Sequence, residues 1–349
     1  MGLKILHSAD WHLDSPFAGF PENRRRLLKH AQKGIPETVA RICRQENCDL
    51  VLLAGDLFDG PYRRETAAML KNALADCGVP VFISPGNHDF CGPGSAWLEE
   101  SWPENVHIFT SSLESVALEG LDCRVYGAGY QSMDCPGLME GFRAEGKERY
   151  HIAVLHGDPL QLRSAYCPVT ASQVRDSALD YLALGHIHKE GSFRAGRTLC
   201  GWPGAPMGRG FDETGEKGIY LVEVGEETRI RQYLLNTPQF HELQVDTDRE
   251  NLEDYLPGGG SDHFYRVILT GNGHGPSEET LGRFPNLELT DRREDPMDIW
   301  NSADEDTLEG CFFRILRNAM ENADPETEKQ LRLAAELSRK ILEDREVVL

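Results

Sequence analysis

Apolar residues follow two rhythms along this chain, and their alternation outlines its first half. Residues 3–7, 49–54 and 79–84 are short apolar runs, the pattern of strands buried on both faces. Between them the period lengthens to that of a helix. Over residues 25–46, Leu27, Ala31, Ile35, Val39, Ile42 and Cys43 share one face, with Pro36 as a kink or a fresh start. Residues 64–75 read as the next amphipathic helix. Such β-α-β-α-β order predicts a largely parallel sheet with ligands at the carboxyl ends of its strands.

From Val106 the texture changes. Short runs at 106–110, 115–118 and 123–127 alternate without helical spacers, and one helical patch precedes strands at 150–155 and 181–184. Residues 192–199, 218–224 and 229–235 read as closing strands, the last two joined by a turn at Glu226 and Glu227. The expected class is α/β, a four-layer α-β-β-α sandwich over residues 1–235. Residues 236–295 read as a small α+β capping domain, with strands at 241–245, 265–270 and 287–290 and helices at 249–255 and 278–284. Gly258-Gly259-Gly260 is a loop there, not a phosphate cradle, since no strand precedes it and no helix follows. Residues 296–349 read as a helical tail. Leu308, Phe312, Ile315, Leu316, Ala319 and Met320 stripe one helix. Asp324-Pro325 reads as N-cap and first turn of a second, striped by Leu331, Ala334, Ala335, Ser338, Ile341 and Leu342. These stripes either pack on the cap or dock a partner.

Composition narrows the function classes. A chain of 349 residues, 40% hydrophobic and 27% charged, fits one large domain with smaller ones. No apolar run approaches the ~20 residues of a membrane span. The N-terminus enters a strand at once, leaving no room for a signal peptide, so a cytoplasmic protein is expected. Nine cysteines without C-x-x-C spacing argue for reduced thiols and against a structural zinc site. The formal charge of -21 excludes a broad basic face for duplex DNA. Any basic surface is local: Arg24, Arg25 and Arg26 with Lys29, which read as a solvated helix face or a phosphate contact, and Arg63, Arg64, Lys189 and Arg209.

The chemistry lies in five motifs, nearly all placed just after a predicted strand: Asp10-Trp11-His12, Gly55-Asp56, Gly86-Asn87-His88-Asp89, His156-Gly157 and Gly185-His186-Ile187-His188. Two-metal hydrolysis of a phosphate ester needs two close cations, a bridging ligand and open positions. Asp56 is the natural bridge, because its carboxylate has two oxygens. Asp10 and His12 can both turn inward where their strand ends, Asn87 offers a neutral oxygen, and His156, His186 and His188 complete two shells. Imidazole with carboxylate suits Mn, Fe, Zn or Co better than Ca or Mg. His88 can protonate the leaving oxygen or contact the phosphate, with Asp59 and Asp89 as candidates to orient it. Asp59 reads equally as a helix N-cap. His7, His30, His107, His151, His241, His263 and His274 match no motif and read as core or surface residues.

The order D-x-H, G-D, G-N-H-D, H, G-H-x-H resembles the calcineurin-like metallophosphoesterase superfamily. Ser8 to Phe17, Ala54 to Gly60, Leu182 to Lys189 and Gly208 to Gly218 resemble its bacterial DNA-repair exonuclease branch, SbcD-like and closest to the YhaO type. The likeness covers residues 3–235 well. It implies a first metal ion held by Asp10, His12, Asp56 and His188, and a second held by Asp56, Asn87, His156 and His186. It also implies His88 as catalytic histidine, two divalent ions of which manganese is the usual one, DNA as substrate, a coiled-coil ATPase of the SbcC type as partner, and a homodimer. Archaeal and eukaryotic relatives carry a second catalytic histidine where this chain and other bacterial members have Asp59, so cleavage polarity does not carry over. The expected function is a DNA exo- or endonuclease subunit. The alternatives are a phosphodiesterase for small nucleotides and a binding subunit whose nuclease site is vestigial.

Overall fold

The computed structural model describes residues 2–256, 262–271, 275–293, 300–320 and 323–342. The chain divides into two compact units, one of residues 1–242 with 261–266 and one of residues 243–260 with 267–349.

Two six-stranded sheets build the first unit. In one, β1 (Leu3–Ser8), β2 (Leu50–Leu53), β3 (Val81–Ile83) and β4 (Val106–Ile108) run parallel, and the hairpin of β11 (Gly218–Val224) and β12 (Arg229–Leu234) adds antiparallel beyond β1. The other has the order β5 (Glu114–Leu118), β6 (Cys123–Gly127), β7 (Tyr150–His156), β8 (Tyr181–Gly185), β10 (Thr198–Trp202), β9 (Gly191–Ala195). Its four inner strands are parallel.

Alternation along each strand sorts the core into three sheets of side chains. Leu6, Val51, Leu53, Val81 and Ile83 face α1 (Glu22–Lys33), α2 (Ile35–Gln45) and α3 (Arg64–Asp76). Leu3, Ile5, Leu50 and Leu52 meet Val125, Ile152, Val154 and Tyr181 between the two sheets. Ala153, Leu155, Leu182 and Leu184 form the third cluster, on the outer face of the second sheet. That face carries one six-residue helix, α5 (Ala171–Asp176), closed by a capping box in which Thr170 accepts from the Gln173 amide. A further short helix, α4 (Ala96–Glu99), precedes β4.

Three expectations give way to the observed fold. Residues 192–199 are not one strand: the chain reverses at Gly196, whose φ of 62° is open to glycine, and β9 pairs back on β10. The helical patch expected before Tyr150 is turn and loop. Gly129, Pro136, Gly137, Gly141 and Gly146 break its helical period. In the second unit, the helix expected at 249–255 shortens to a single 3-10 turn at Leu252–Asp254.

A three-stranded sheet in the order β13 (Phe240–Asp246), β14 (Phe264–Thr270), β15 (Leu287–Asp291) accompanies α6 (Glu278–Arg283), whose N-cap Ser277 accepts from the Thr280 amide at 3.1 Å. Gly258-Gly259-Gly260 lies outside the described residues. The tail forms α7 (Leu308–Met320) and α8 (Pro325–Leu342), and the Asp324 carboxylate caps α8 by accepting from the amides of Glu326 and Thr327, each at 3.1 Å. Phe313 and Ala335 are the buried contacts between them, together with Ala303, and Leu316 packs against these. Leu308, Phe312 and Ile315 of the expected stripe are exposed. No helix among the described residues is long and apolar enough to cross a membrane.

His7 follows Leu3 and Ile5 into the space between the sheets, where its Nδ1 lies 2.8 Å from the Tyr181 hydroxyl and its ring meets Tyr220 edge-on. Burial lowers its pKa to about 3, so it stays neutral in the folded protein. The unfolded chain takes up this proton near pH 6.5 and the folded one does not. The stability His7 contributes is therefore complete above pH 6.5 and lost as pH falls. Its share of the slope should be about 1.4 kcal/mol per pH unit between roughly pH 6 and 4. Denaturant unfolding across that range should show a shallower pH dependence in His7→Gln than in wild type. Equal slopes would contradict this origin.

Candidate metal centre

Strained backbone marks the site before any side chain is considered. Asp10 (φ 56°) and His12 (46°) after β1, Asp56 (51°) after β2 and His186 (88°) after β8 all adopt left-handed conformations. Non-glycine residues avoid that region at a cost of about 1–3 kcal/mol each. Pairing between loops holds them there. The amides of Asp10, His12 and Leu13 donate to the carbonyls of Gly55, Asp56 and Leu57 at 3.0, 2.9 and 2.8 Å. Buried Gln32 of α1 donates to the carbonyls of His12 (2.7 Å) and Trp11 (3.3 Å), and the His186 amide donates to Asp10 Oδ1 at 3.0 Å.

Asp89 fixes the next loop. Its buried carboxylate accepts from the amides of Gly86 (2.7 Å), Asp56 (3.2 Å), Leu57 (2.7 Å) and Phe58 (3.3 Å). All four donors are backbone groups, so the expectation that Asp89 orients His88 gives way to a scaffold role. Burial and the neighbouring Asp56 charge push its pKa up, and the amide donors pull it back. Close packing explains two motif glycines. A Cβ on Gly55 would lie 2.6 Å from His156 Nδ1, and one on Gly86 would run into Asp56 Oδ1.

The seven residues read from sequence as ligands converge where the carboxyl ends of β1, β2, β3, β7 and β8 meet. His12 Nε2 faces His188 Nε2 at 3.1 Å. Asn87 Oδ1 lies 2.9 Å from His156 Nε2 and 3.3 Å from His186 Nδ1. Asp56 Oδ2 lies between, 3.8 Å from His12 Nε2 and 3.5 Å from His156 Nε2. Asp10, His12 and His188 offer donor atoms within 4.8 Å of one another, as do Asp10, Asp56 and His156, and also His12, Asp56 and His88. Asp10 thus belongs near both sets.

Each ring's far nitrogen settles where its hydrogen sits. His156 Nδ1 donates to the Ala54 carbonyl (2.8 Å), His188 Nδ1 to Glu213 Oε1 (2.7 Å) and His12 Nδ1 to Asp59 Oδ1 (3.2 Å). As neutral rings the three then turn Nε2 lone pairs inward; at His188 burial opposes a second proton, and the bond to Glu213 outweighs it and raises the pKa. Burial lowers the pKa of His12 and of His186, keeping both neutral. Burial opposes the charge of Asp56, but the carboxyl stays below its usual range through the surrounding histidines, whenever one of them carries a proton, and through the His88 amide that donates to its Oδ1 at 2.8 Å. Ligands about 2.1 Å from one ion lie roughly 3.0–3.4 Å apart in octahedral or tetrahedral geometry. The His12–His188 and Asn87–His186 donor pairs match that spacing, and their lone pairs suit a divalent cation.

His88 stands at the edge, its side chain 41% exposed, with Nδ1 3.0 Å from Asp59 Oδ1. The bond to Asp59 raises its pKa. Asp59 also takes the Ser15 hydroxyl at 2.8 Å and sits well below the usual carboxylate range: burial opposes its charge, and His12, His88 and Ser15 outweigh it. Its alternative reading as a helix N-cap is set aside, because α3 starts at Arg64 and Asp14 takes the Arg63 amide (3.1 Å) and the Thr66 hydroxyl (2.9 Å). Arg64 and Lys189 are exposed, and exposed Arg63 has Nε 3.8 Å from Asp14. Arg209 reaches Asp59 (3.8 Å) and Glu213 (3.2 Å). Sequence reasoning missed the roles of Glu213 and Gln32. Glu213 lies 25 residues beyond His188, deep in the loop after β10 and not at the strand end, and Gln32 looks like any polar helix residue.

With that geometry in place, similarity to known proteins is decisive. The profile of the calcineurin-like phosphoesterase family matches residues 3–190. The chain belongs to the calcineurin-like phosphoesterase family. The YhaO metallophosphoesterase of Bacillus subtilis, itself uncharacterized, is 38% identical over 239 residues, covering 64% of this chain and 57% of YhaO. The match therefore spans little more than half of that relative. The SbcD component of the SbcCD nuclease is 26% identical in Bacillus subtilis, over 67% of this chain and 70% of the relative. Its Staphylococcus epidermidis counterpart is 22% identical, over 82% and 84%. This member of the calcineurin-like phosphoesterases is a metal-dependent phosphoesterase, and the converging cluster is where its donor groups meet.

Replacing Asp89 with Asn should disturb this cluster without touching a candidate ligand. An amide nitrogen turned toward Leu57 and Phe58 leaves buried donors unpaired, at a cost of at least about 2 kcal/mol. Denaturant unfolding of the chelator-treated protein measures it. A loss below about 0.5 kcal/mol, the range of ordinary surface changes, would mean Asp89 does not hold the loops.

Proposed function

We propose that this chain is a phosphodiesterase acting on DNA, the nuclease subunit of an SbcCD-type complex, and that it uses two divalent ions, manganese foremost. The observation that carries this reading is the buried Asp56 carboxylate set between two groups of inward-facing donors, with His88 exposed beside them. Asp10, His12, Asp56 and His188 would hold one ion, and Asp56, Asn87, His156 and His186 the other. When bound, the ions supply Lewis acidity to the phosphoryl oxygens and acidify water towards neutral pH. The protein's own residues do the rest. Asp59 holds the Nδ1 hydrogen of His88, which keeps a proton available at Nε2 for the leaving oxygen. Asp56 and Asp10 are anchored by backbone bonds and need no rearrangement during the reaction.

The DNA substrate is supported by likeness to two proteins of the SbcCD nuclease. A formal charge of -21 leaves little DNA affinity to this chain alone. A coiled-coil ATPase partner would supply it, and the exposed Leu308, Phe312 and Ile315 of α7 support such docking.

Purified protein incubated with manganese and end-labelled duplex and single-stranded DNA tests the proposal. Cleavage should vanish with a chelator and in Asp56→Ala. His88→Asn should retain ion binding while losing about 10²–10⁴-fold in rate. Hydrolysis of a small phosphodiester with no DNA cleavage, even with the ATPase added, would favour a small-nucleotide enzyme instead.

A further inference from the structure

Arg209 occupies a place that neither a phosphate contact nor a solvated charge explains. Its Nε and Nη2 donate to Glu213 Oε1 at 3.3 and 3.2 Å, and its backbone amide donates to Glu213 Oε2 at 3.1 Å. Its Nη1 lies 3.8 Å from Asp59 Oδ1. The guanidinium is thus hydrogen-bonded to Glu213 and ion-paired with Asp59, its Nη2 also lies 3.3 Å from His188 Nδ1, and its side chain is only 26% exposed. Those carboxylates are the ones behind the facing imidazole pair: Glu213 takes His188 Nδ1 and Asp59 takes His12 Nδ1. Glu213 is itself buried, and the Arg209–Glu213 segment closes on itself through the Glu213 amide and the Gly210 carbonyl at 3.0 Å.

We infer that Arg209 is a positioning residue, a cationic clamp that locks Glu213 and Asp59 together and thereby sets the ion affinity of the site shared by His12 and His188. The inference rests on the reading of those histidines as ion ligands. Two carboxylates converging on neighbouring rings repel each other unless a cation lies between them. A planar guanidinium with donors on several edges meets both at once, which an ammonium cannot match. The other donor set is built differently. His156 is aimed by the Ala54 carbonyl, a backbone group that no side-chain change removes. The clamp therefore acts on one ion and not on the other.

Equilibrium titration with Co(II), followed by its visible absorption, reads each site apart from turnover. Wild type should take up two ions per chain. Arg209→Gln should weaken one of them about 10-fold or more, and Glu213→Gln about 10–100-fold, the range for residues that orient a ligand. The second ion should bind as in wild type in both variants. Arg209→Lys keeps charge and bulk but loses the fork, so its weaker ion should fall between wild type and Arg209→Gln. Thermal unfolding of the chelator-treated variants should match wild type, which separates positioning from general stability. Both ions bound with wild-type affinity in Arg209→Gln and Glu213→Gln would overturn the clamp and leave the two-ion reading intact. Equal weakening of both ions, or weakening explained by loss of folding in Arg209→Lys as well, would overturn it too. A wild-type chain that binds no ion would instead remove the reading on which the clamp rests.

Discussion

Two imidazole nitrogens, each with its lone pair turned inward, face one another at 3.1 Å: His12 Nε2 and His188 Nε2. Between two neutral rings that contact is repulsive; it becomes attractive around a shared cation, or around a proton on His188, where burial opposes the charge and the Glu213 bond outweighs it. The local structure is organised to enforce it. Asp59 and Glu213 take the hydrogens on the far side of the two rings, so as neutral imidazoles both turn a lone pair toward the shared space. The same logic recurs at His156, whose Nδ1 hydrogen goes to the Ala54 carbonyl while Nε2 meets Asn87 Oδ1.

Such crowding survives because the fold over-determines it. The donors come from both sheets, at strand ends whose interiors are fully buried, so the loops inherit rigid anchors. Left-handed backbone at Asp10, His12, Asp56 and His186 adds strain, which the zipped loops, Gln32 and the amide-binding Asp89 offset. Preorganisation of this kind keeps the donor geometry fixed through a reaction, so nothing has to be rebuilt when charge develops on a phosphoryl group.

Much of this is legible in the sequence, for physical reasons that differ by element. Continuous apolar runs such as Leu50–Leu53 have few ways to be buried, so the parallel strands and the motifs after them can be placed. The seven candidate ligands are readable because side-chain chemistry and position at a strand end coincide. Asp89 misleads because its neighbours in sequence suggest His88, whereas its carboxylate turns back to the amides of Leu57 and Phe58. The role of Glu213 is hidden because its partner His188 is remote in sequence and it lies deep in the loop after β10, away from the strand end. The hairpin at Gly196 is lost because Phe193, Ala195 and Leu199 keep one two-residue alternation across the turn.

The central claim is that two ions share Asp56, and anomalous diffraction from manganese-soaked crystals tests it most directly. Two peaks are expected, one against Asp10, His12 and His188, the other against Asn87, His156 and His186, with Asp56 touching both. A single peak, or peaks that leave Asp56 without a contact, would contradict it.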